Sequence, residues 1–290
     1  MELIHTVAWM KQVAGEARRN DRVLGLVPTM GALHEGHFSL VRQANRQCSP
    51  VVVSIFVNPK QFGPSEDFQK YPRTLDADLA ALEHFDVDYV FAPTPEQMYP
   101  PGFRTAVAVD GLSDRLEGRS RPGHFRGVTT VVLKLFEIVQ PRFAFFGRKD
   151  AQQTRIIRQM TGDLDLDTEI TVCPIVREPD GLALSSRNRY LSASDRRAAT
   201  VLHRSLDSLR REISAGDRDV VHLLAAMREI IESERSVSLD YAEVVDADTL
   251  EPAMVLSKTC YALLAARVGG TRLIDNALIA PAGDSFDVTL

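Results

Sequence analysis

Cysteine is scarce in this chain. Cys48, Cys173 and Cys260 are the only three in 290 residues, they lie far apart, and none stands in CxxC spacing. An odd, dispersed set argues against a disulfide framework and against a cysteine-based zinc site. Basic charge is not in excess either: Lys and Arg number 34 against 39 Asp and Glu, for a formal net charge of -5. A duplex-binding protein needs a strongly basic face, so no nucleic-acid partner is expected. No apolar run approaches the roughly 18 residues of a membrane span, so no membrane partner is expected. Residues 1–11 mix Glu2 and His5 into the apolar positions and do not read as a secretory signal. Internal repeats and low-complexity tracts are lacking too. What is left is an ordinary globular composition, 44% hydrophobic and 25% charged, with the cytoplasm as the expected compartment.

The apolar residues come in short, ordered runs. Residues 23–28 (VLGLVP) are closed by a proline, as a buried strand is. Residues 31–36 read as loop, and residues 37–47 place Phe38, Leu40, Val41 and Ala44 on one face of a helix. Residues 51–57 (VVVSIFV) suit a strand covered on both faces of a parallel sheet. Strand, loop, helix and strand make one βαβ unit. A helix at 76–84, a strand at 88–92, a helix at 128–139, a strand at 142–146 and a helix at 150–160 continue the alternation. That pattern predicts a doubly wound parallel sheet. After Tyr190 the character changes: residues 194–215 and 220–233 read as long helices, and residues 239–246 alternate apolar with polar. Runs at 261–268 and 271–278 flank Gly269-Gly270, a hairpin signal. The expected fold class is α/β, with a Rossmann-like N-terminal domain over residues 1–175. A smaller α+β C-terminal lid domain, helices plus a short antiparallel sheet, is expected over residues 176–290.

Five stretches could carry chemistry. In "GALHEGHFSL" (31–40), His34 and His37 lie between an expected strand and an expected helix. Helix N-termini present unpaired N–H groups to an anion, and Gly31 and Gly36 would let backbone approach it. HxxH is also common chance spacing, and HEGH is one residue short of the zinc-protease pattern HExxH. In "IFVNPKQFGPSEDFQKYPR" (55–73), Asn58 and Gln61 are neutral amides suited to a ligand with hydroxyls and a carboxylate, or to capping a turn. In "EGRSRPGHFRGV" (117–128), Arg119, Arg121 and Arg126 suit an anion or a solvated basic loop. In "FFGRKDAQQ" (145–153), Lys149 could reach phosphate and Asp150 a ribose, or Asp150 could cap the next helix. In "REPDGLALSSRNRYLS" (177–192), two serines and Arg187 could grip phosphates, with Ser194 and Asp195 capping the next helix.

Taken in order, these blocks resemble the pantothenate synthetase (pantoate–β-alanine ligase) family. The resemblance rests on "PTMGALHEGHFSL", "FVNPKQFGPSEDFQKYPR", "RPGHFRGV", "FGRKDAQQ" and "REPDGLALSSRNRYLS", from Pro28 to Ser192. It implies the fold of the HIGH-motif nucleotidyltransferases and a two-step, ATP-dependent ligation. Pantoate carboxylate attacks the α-phosphorus of ATP to give pantoyl adenylate and pyrophosphate; the amine of β-alanine then displaces AMP to give pantothenate. Carried over residue by residue, Met30, Gly31, Ala32, Leu33, His34, Glu35, Gly36 and His37 form the loop over the nucleotide, with His37 the implied proton donor. Gly147, Arg148, Lys149 and Asp150 form a second ATP stretch, Arg148 without a role of its own. Val176 contacts adenine through its backbone, and Leu184, Ser185, Ser186 and Arg187 close on the phosphates. His37, His34, Lys149 and Arg187 are the implied catalytic residues. Gln61 and Gln153 hold pantoate, with Asn58 and Arg121 as further members. Mg2+ arrives with ATP, bound by phosphates and water; no metal ligand is assigned, Asp76 and Asp78 being acidic neighbours without a geometric case. A homodimer is also implied.

Two rivals share the histidine motif. A nucleotidylyltransferase would release a nucleotide-linked product instead of AMP. A tRNA-charging or RNA-binding module is opposed by the net charge, the short chain and the lack of a basic anticodon-binding region.

Overall fold

The computed structural model describes residues 1–64 and 66–290. Contacts divide the chain into two compact units, Met1–Arg148 with Gln152–Pro174, and Lys149–Ala151 with Ile175–Leu290.

The first unit holds β1 (Glu2–Ile4), α1 (Val7–Arg19), β2 (Gly25–Thr29), α2 (Glu35–Asn45), β3 (Val51–Ile55), α3 (Leu75–Leu82) and β4 (Tyr89–Phe91). It continues through α4 (Pro95–Met98), α5 (Glu117–Ser120), α6 (His124–Val139), β5 (Phe143–Gly147), α7 (Ala151–Asp163) and β6 (Glu169–Cys173). The six strands lie in the order β1-β4-β3-β2-β5-β6, and every pairing is parallel. Both sheet faces are buried, which explains why the strands read as unbroken apolar runs. Successive side chains nevertheless go to opposite faces. Leu26, Val52, Ala144 and Phe146 join the core beneath α1, α6 and α7. Val27, Val51, Val53 and Phe145 join the core beneath α2 and α3. After β2 the chain runs outward through β3 and β4, then returns to place β5 on the other side of β2. The strand order therefore reverses between β2 and β5, the point where ligands of open α/β sheets bind.

The second unit holds α8 (Ala193–Ala198), α9 (Thr200–Ser214), α10 (Val220–Glu232), β7 (Val237–Asp246), β8 (Cys260–Val268), β9 (Thr271–Ala282) and β10 (Ser285–Thr289). Its four strands form an antiparallel sheet ordered β10-β9-β8-β7. Leu202, Leu206, Leu209 and Ile213 of α9 and Leu223, Met227 and Ile231 of α10 pack with Ala262, Leu264, Ala266 and Ala277 of the sheet. Small alanines on the strands leave room for the leucines of the helices. The Gly269-Gly270 turn joins β8 to β9, with Gly269 at φ +55.

The α/β class, the parallel sheet and the antiparallel C-terminal sheet are all present. Several boundaries differ from those the sequence predicts. The helix expected from residue 37 starts at Glu35, and the one expected from residue 128 starts at His124. The helix expected over 194–215 is interrupted at Ala199, separating α8 from α9. Strands β1 and β10 and helix α1 were not anticipated. Three residues of β1 carry no periodicity, and its edge position is defined only by its partner β4. Helix α1 does carry the signal, since Met10, Val13, Ala14 and Ala17 recur at helical spacing and are its buried residues. Among the described residues, no helix is long and apolar enough to cross a membrane.

Candidate functional site

In the first unit the loop after β2 turns sharply. Gly31 lies at φ +80 and Ala32 at φ +51. A Cβ on Gly31 would come within 3.0 Å of Asp78 Oδ2 and 3.2 Å of Ile55 Cγ2, so the position favours glycine for space as well as for conformation. Asp78, from the first turn of α3, is 4% exposed. Its carboxylate accepts the amides of Ala32 at 3.0 Å and Leu33 at 2.8 Å, and the Thr74 hydroxyl at 3.1 Å. Both oxygens are engaged, which argues against the acidic-neighbour reading of Asp78 as a metal ligand.

The histidine pair starts helix α2. His34 is the N-cap: its Nδ1 accepts the Gly36 amide at 3.2 Å, while His37 Nδ1 accepts the His34 amide at 3.3 Å. This is the reciprocal arrangement of a capping box, built from imidazoles instead of a hydroxyl and a carboxylate. The ring centroids are 4.1 Å apart. A ring nitrogen that accepts an N–H carries no proton, so each neutral imidazole here bears its hydrogen on Nε2. Two Nε2–H donors at the positive end of a helix are suited to an anion. Glu35 and Gly36 are the first two residues of that helix.

Beside this loop, Met30 Sδ receives the Gln61 Nε2 hydrogen at 3.1 Å. Asn58 is 1% exposed and all four of its side-chain hydrogen-bonding positions are used. Nδ2 donates to Gln61 Oε1 at 3.0 Å and to Gly127 O at 3.1 Å; Oδ1 accepts the Lys60 amide at 3.2 Å and the Tyr99 hydroxyl at 2.7 Å. Burial pushes the Tyr99 phenol up, so it keeps the proton it donates. Asn58, expected among the pantoate residues, is thus bonded by the chain at each of these positions, and it orients Gln61.

Arg121, also expected among the pantoate residues, is engaged by the chain as well. Its Nε and one terminal nitrogen grip both oxygens of Glu66, at 2.8 and 2.7 Å. Burial alone would raise the Glu66 carboxyl, but the Arg121 hydrogen bonds and charge outweigh it and hold it below the usual range. The guanidinium fork thus holds a carboxylate of the chain itself. The other terminal nitrogen of Arg121 donates to His124 Nε2 at 3.0 Å, and His124 Nδ1 then donates to Gln61 O at 2.8 Å. Burial, aided by Arg121, pulls His124 down to about 4. Its hydrogen sits on Nδ1, the tautomer opposite to that of His34 and His37.

Strand β5 ends at Gly147, and Arg148–Asp150 form one 3-10 turn leading into α7. Arg148 is buried. Gln153 is half-buried on α7. Its neighbour Gln152 is buried and structural, accepting the Glu117 amide at 3.0 Å and donating to Leu112 O and Arg115 O. One helical step of about 100° separates the two side chains.

The second unit carries the remaining predicted residues. Lys149 Nζ lies 4.0 Å from Asp150 Oδ1, and Lys149 O accepts Asn276 Nδ2 at 2.9 Å. Val176 and Leu184 meet directly, Leu184 N donating to Val176 O at 3.0 Å, within a turn that also pairs Arg177 with Ala183. Arg177 secures that turn. It binds Asp275 with two bonds of 2.7 and 3.0 Å and donates to Gly181 O at 3.0 Å. Ser185 caps the 3-10 segment Ser186–Tyr190 by accepting the Arg187 amide at 3.3 Å. The cap expected from Ser194 is supplied by Ser192, whose Oγ accepts the Asp195 amide.

Asp78, His124, Tyr99, Arg177 and Asn276 are supporting residues to which the sequence assigns no role. Arg177 and His124 lie inside the motif blocks, but nothing in the sequence shows their partners at positions 275 and 61.

Fold and loop together define an α/β protein with an anion-ready histidine turn beside the switch point of a parallel sheet. A family model for pantoate-beta-alanine ligase matches residues 2–278. The pantothenate synthetase of Koribacter versatilis (strain Ellin345) is 52% identical over 285 residues, covering 98% of each chain. A crystal structure of pantothenate synthetase from Thermus thermophilus superposes with a TM-score of 0.91 at 44% identity, covering 95% of this chain and 98% of that one. Pantoate-beta-alanine ligase from Francisella tularensis, complexed with beta-gamma ATP and beta-alanine, matches with a TM-score of 0.77 at 35% identity, covering 95% and 97%. The chain belongs to the pantoate–β-alanine ligase family.

Proposed function

We propose that this enzyme joins (R)-pantoate to β-alanine in two steps driven by ATP. In the first, a pantoate carboxylate oxygen bonds to the α-phosphorus and the bond to pyrophosphate breaks, leaving pantoyl adenylate. In the second, the β-alanine nitrogen bonds to the pantoyl carbonyl carbon, the carbon–oxygen bond to AMP breaks, and the nitrogen yields its proton to solvent. Negative charge grows on the phosphate oxygens in the first step, and preorganised donors stabilise it without a nucleophilic side chain. His34 and His37 serve as Nε2–H donors to those oxygens. With each Nδ1 accepting a backbone amide in the cap, Nε2–H is the donor each ring presents. Lys149 adds a point charge, Asp150 meets ribose, and Ser185, Ser186 and Arg187 meet the outer phosphates. Val176 faces adenine through its backbone. Gln61, oriented by Asn58, and Gln153 hold pantoate.

Mg2+ enters this reading on the ATP phosphates and water. Among the described residues no three His, Cys, Asp or Glu side chains group as metal ligands, and no step is assigned to the ion. A cytoplasmic homodimer is part of the reading, as the family resemblance implies. The observation that carries the proposal is the imidazole cap at the N-terminus of α2, supported by the ATP and β-alanine bound in the Francisella relative. Exchange of labelled pyrophosphate into ATP should require pantoate and proceed without β-alanine. Exchange indifferent to pantoate would contradict the first step, and a stable adenylylated end product in place of AMP would favour the nucleotidylyltransferase alternative.

A further inference from the structure

We propose that Asp78 is a positioning residue for the reaction, the clamp that holds the histidine loop in its working shape. The inference rests on the reading of His34 and His37 as donors to the ATP phosphates. Its own support is geometric. Between β2 and α2 the backbone passes through two consecutive left-handed residues, Gly31 and then Ala32, and an alanine rarely adopts that conformation. Two backbone hydrogen bonds hold the strain in place. The amides of Ala32 and Leu33 converge on the two oxygens of one buried carboxylate, and these are the last two amides before the His34 cap. Thr74, at the N-cap of α3, ties the same carboxylate to its own helix at 3.1 Å. Asp78 thus fixes where the chain enters α2, and through it where both imidazoles begin.

Asparagine at this position keeps the volume but offers an N–H₂ group to one of two N–H donors, so one bond becomes a repulsion. Asp78→Asn should lower kcat for pantoate-dependent pyrophosphate exchange about 100-fold, the scale expected when reacting groups move by about 1 Å. A residue that merely supports the fold would lower activity by the same factor in any background. Asp78 acting through the histidines would not: in a His37→Ala background, Asp78→Asn should add less than about threefold, because coupled residues are not additive. Amide hydrogen exchange at Ala32 and Leu33 should accelerate in Asp78→Asn while that of β3 and β5 is unchanged.

Parent-level exchange activity in a folded Asp78→Asn enzyme, beside an inactive His37→Ala enzyme, would overturn the clamp alone. So would full additivity of the two substitutions. Full activity in His37→Ala would instead remove the reading of the histidines. If Asp78→Asn does not fold, Thr74→Val decides: a drop in exchange activity that vanishes in the His37→Ala background supports the clamp, and parent-level activity overturns it.

Discussion

The histidine loop of the first unit and the serine–arginine turn of the second are held by different means. Around His34 and His37 the order is built into the main chain: a buried carboxylate takes two amides, and the imidazoles cap their own helix. Around Ser185–Arg187 the chain forms a five-residue 3-10 segment without a buried residue, held in part by the Ser185 cap and by Asn188, which donates to Ala183 O at 3.1 Å. The stability of that region lies one turn earlier, where Arg177 meets Asp275, whose side chain is 1% exposed. In the first arrangement the imidazoles proposed to meet phosphate also hold the local shape. The second keeps its anchor, Arg177 with Asp275, separate from the side chains proposed to meet phosphate. Substitutions in the loop should therefore couple rate to local order, while those in the turn should separate the two.

The strongest test of that contrast removes the chemistry on each side. His37→Ala and Lys149→Ala should each cut pyrophosphate exchange by about 1,000-fold, the range seen when one preorganised donor is lost. Far-UV circular dichroism should be unchanged in both. Normal turnover in either would refute its role.

The anchor of the turn comes next. Arg177→Ala leaves the Asp275 carboxylate buried without its guanidinium, a loss of about 3 kcal/mol or more. Urea unfolding should register that loss, whereas a change below about 0.5 kcal/mol would mean that water replaces the pair. Leu184 and Ser185 should lose amide protection in the same variant.

A smaller effect reads the first unit by pH. His124, held near 4 by burial and Arg121, is neutral when folded, while its ordinary value is 6.5. Between these values the unfolded chain binds a proton that the folded chain excludes, so stability falls as pH drops from 6.5 toward 4. The slope is about 1.4 kcal/mol per pH unit from this group. His124→Gln should flatten it by that amount, with Glu66 still titrating in both proteins. Equal slopes would mean that His124 is protonated in the native state.

Much of the fold is legible in the sequence. Runs such as VVVSI and FAFF announce strands buried on both faces, and the alternation near residues 239–246 announces a half-exposed one. The five blocks single out His34, His37, Gln61, Gln153 and Lys149 as candidates, along with Asn58 and Arg121. The blocks do not show which of these groups the chain itself engages, because residue type does not reveal whether capacity is already taken. Asn58 and Arg121 have the chemistry of ligands, yet their bonds end on Gln61, Gly127, Tyr99, Lys60 and Glu66.

The sequence by itself determined the layers and the kinds of side chain offered at the strand ends, because periodicity and turn chemistry are local properties of the chain. Only the tertiary structure decided which of those polar groups are engaged by the chain itself. It brought Asp78 to amides 45 and 46 residues away, and Asp275 to an arginine 98 residues before it. A hydrogen bond joins groups that are near in space, and nearness across such separations is a product of packing.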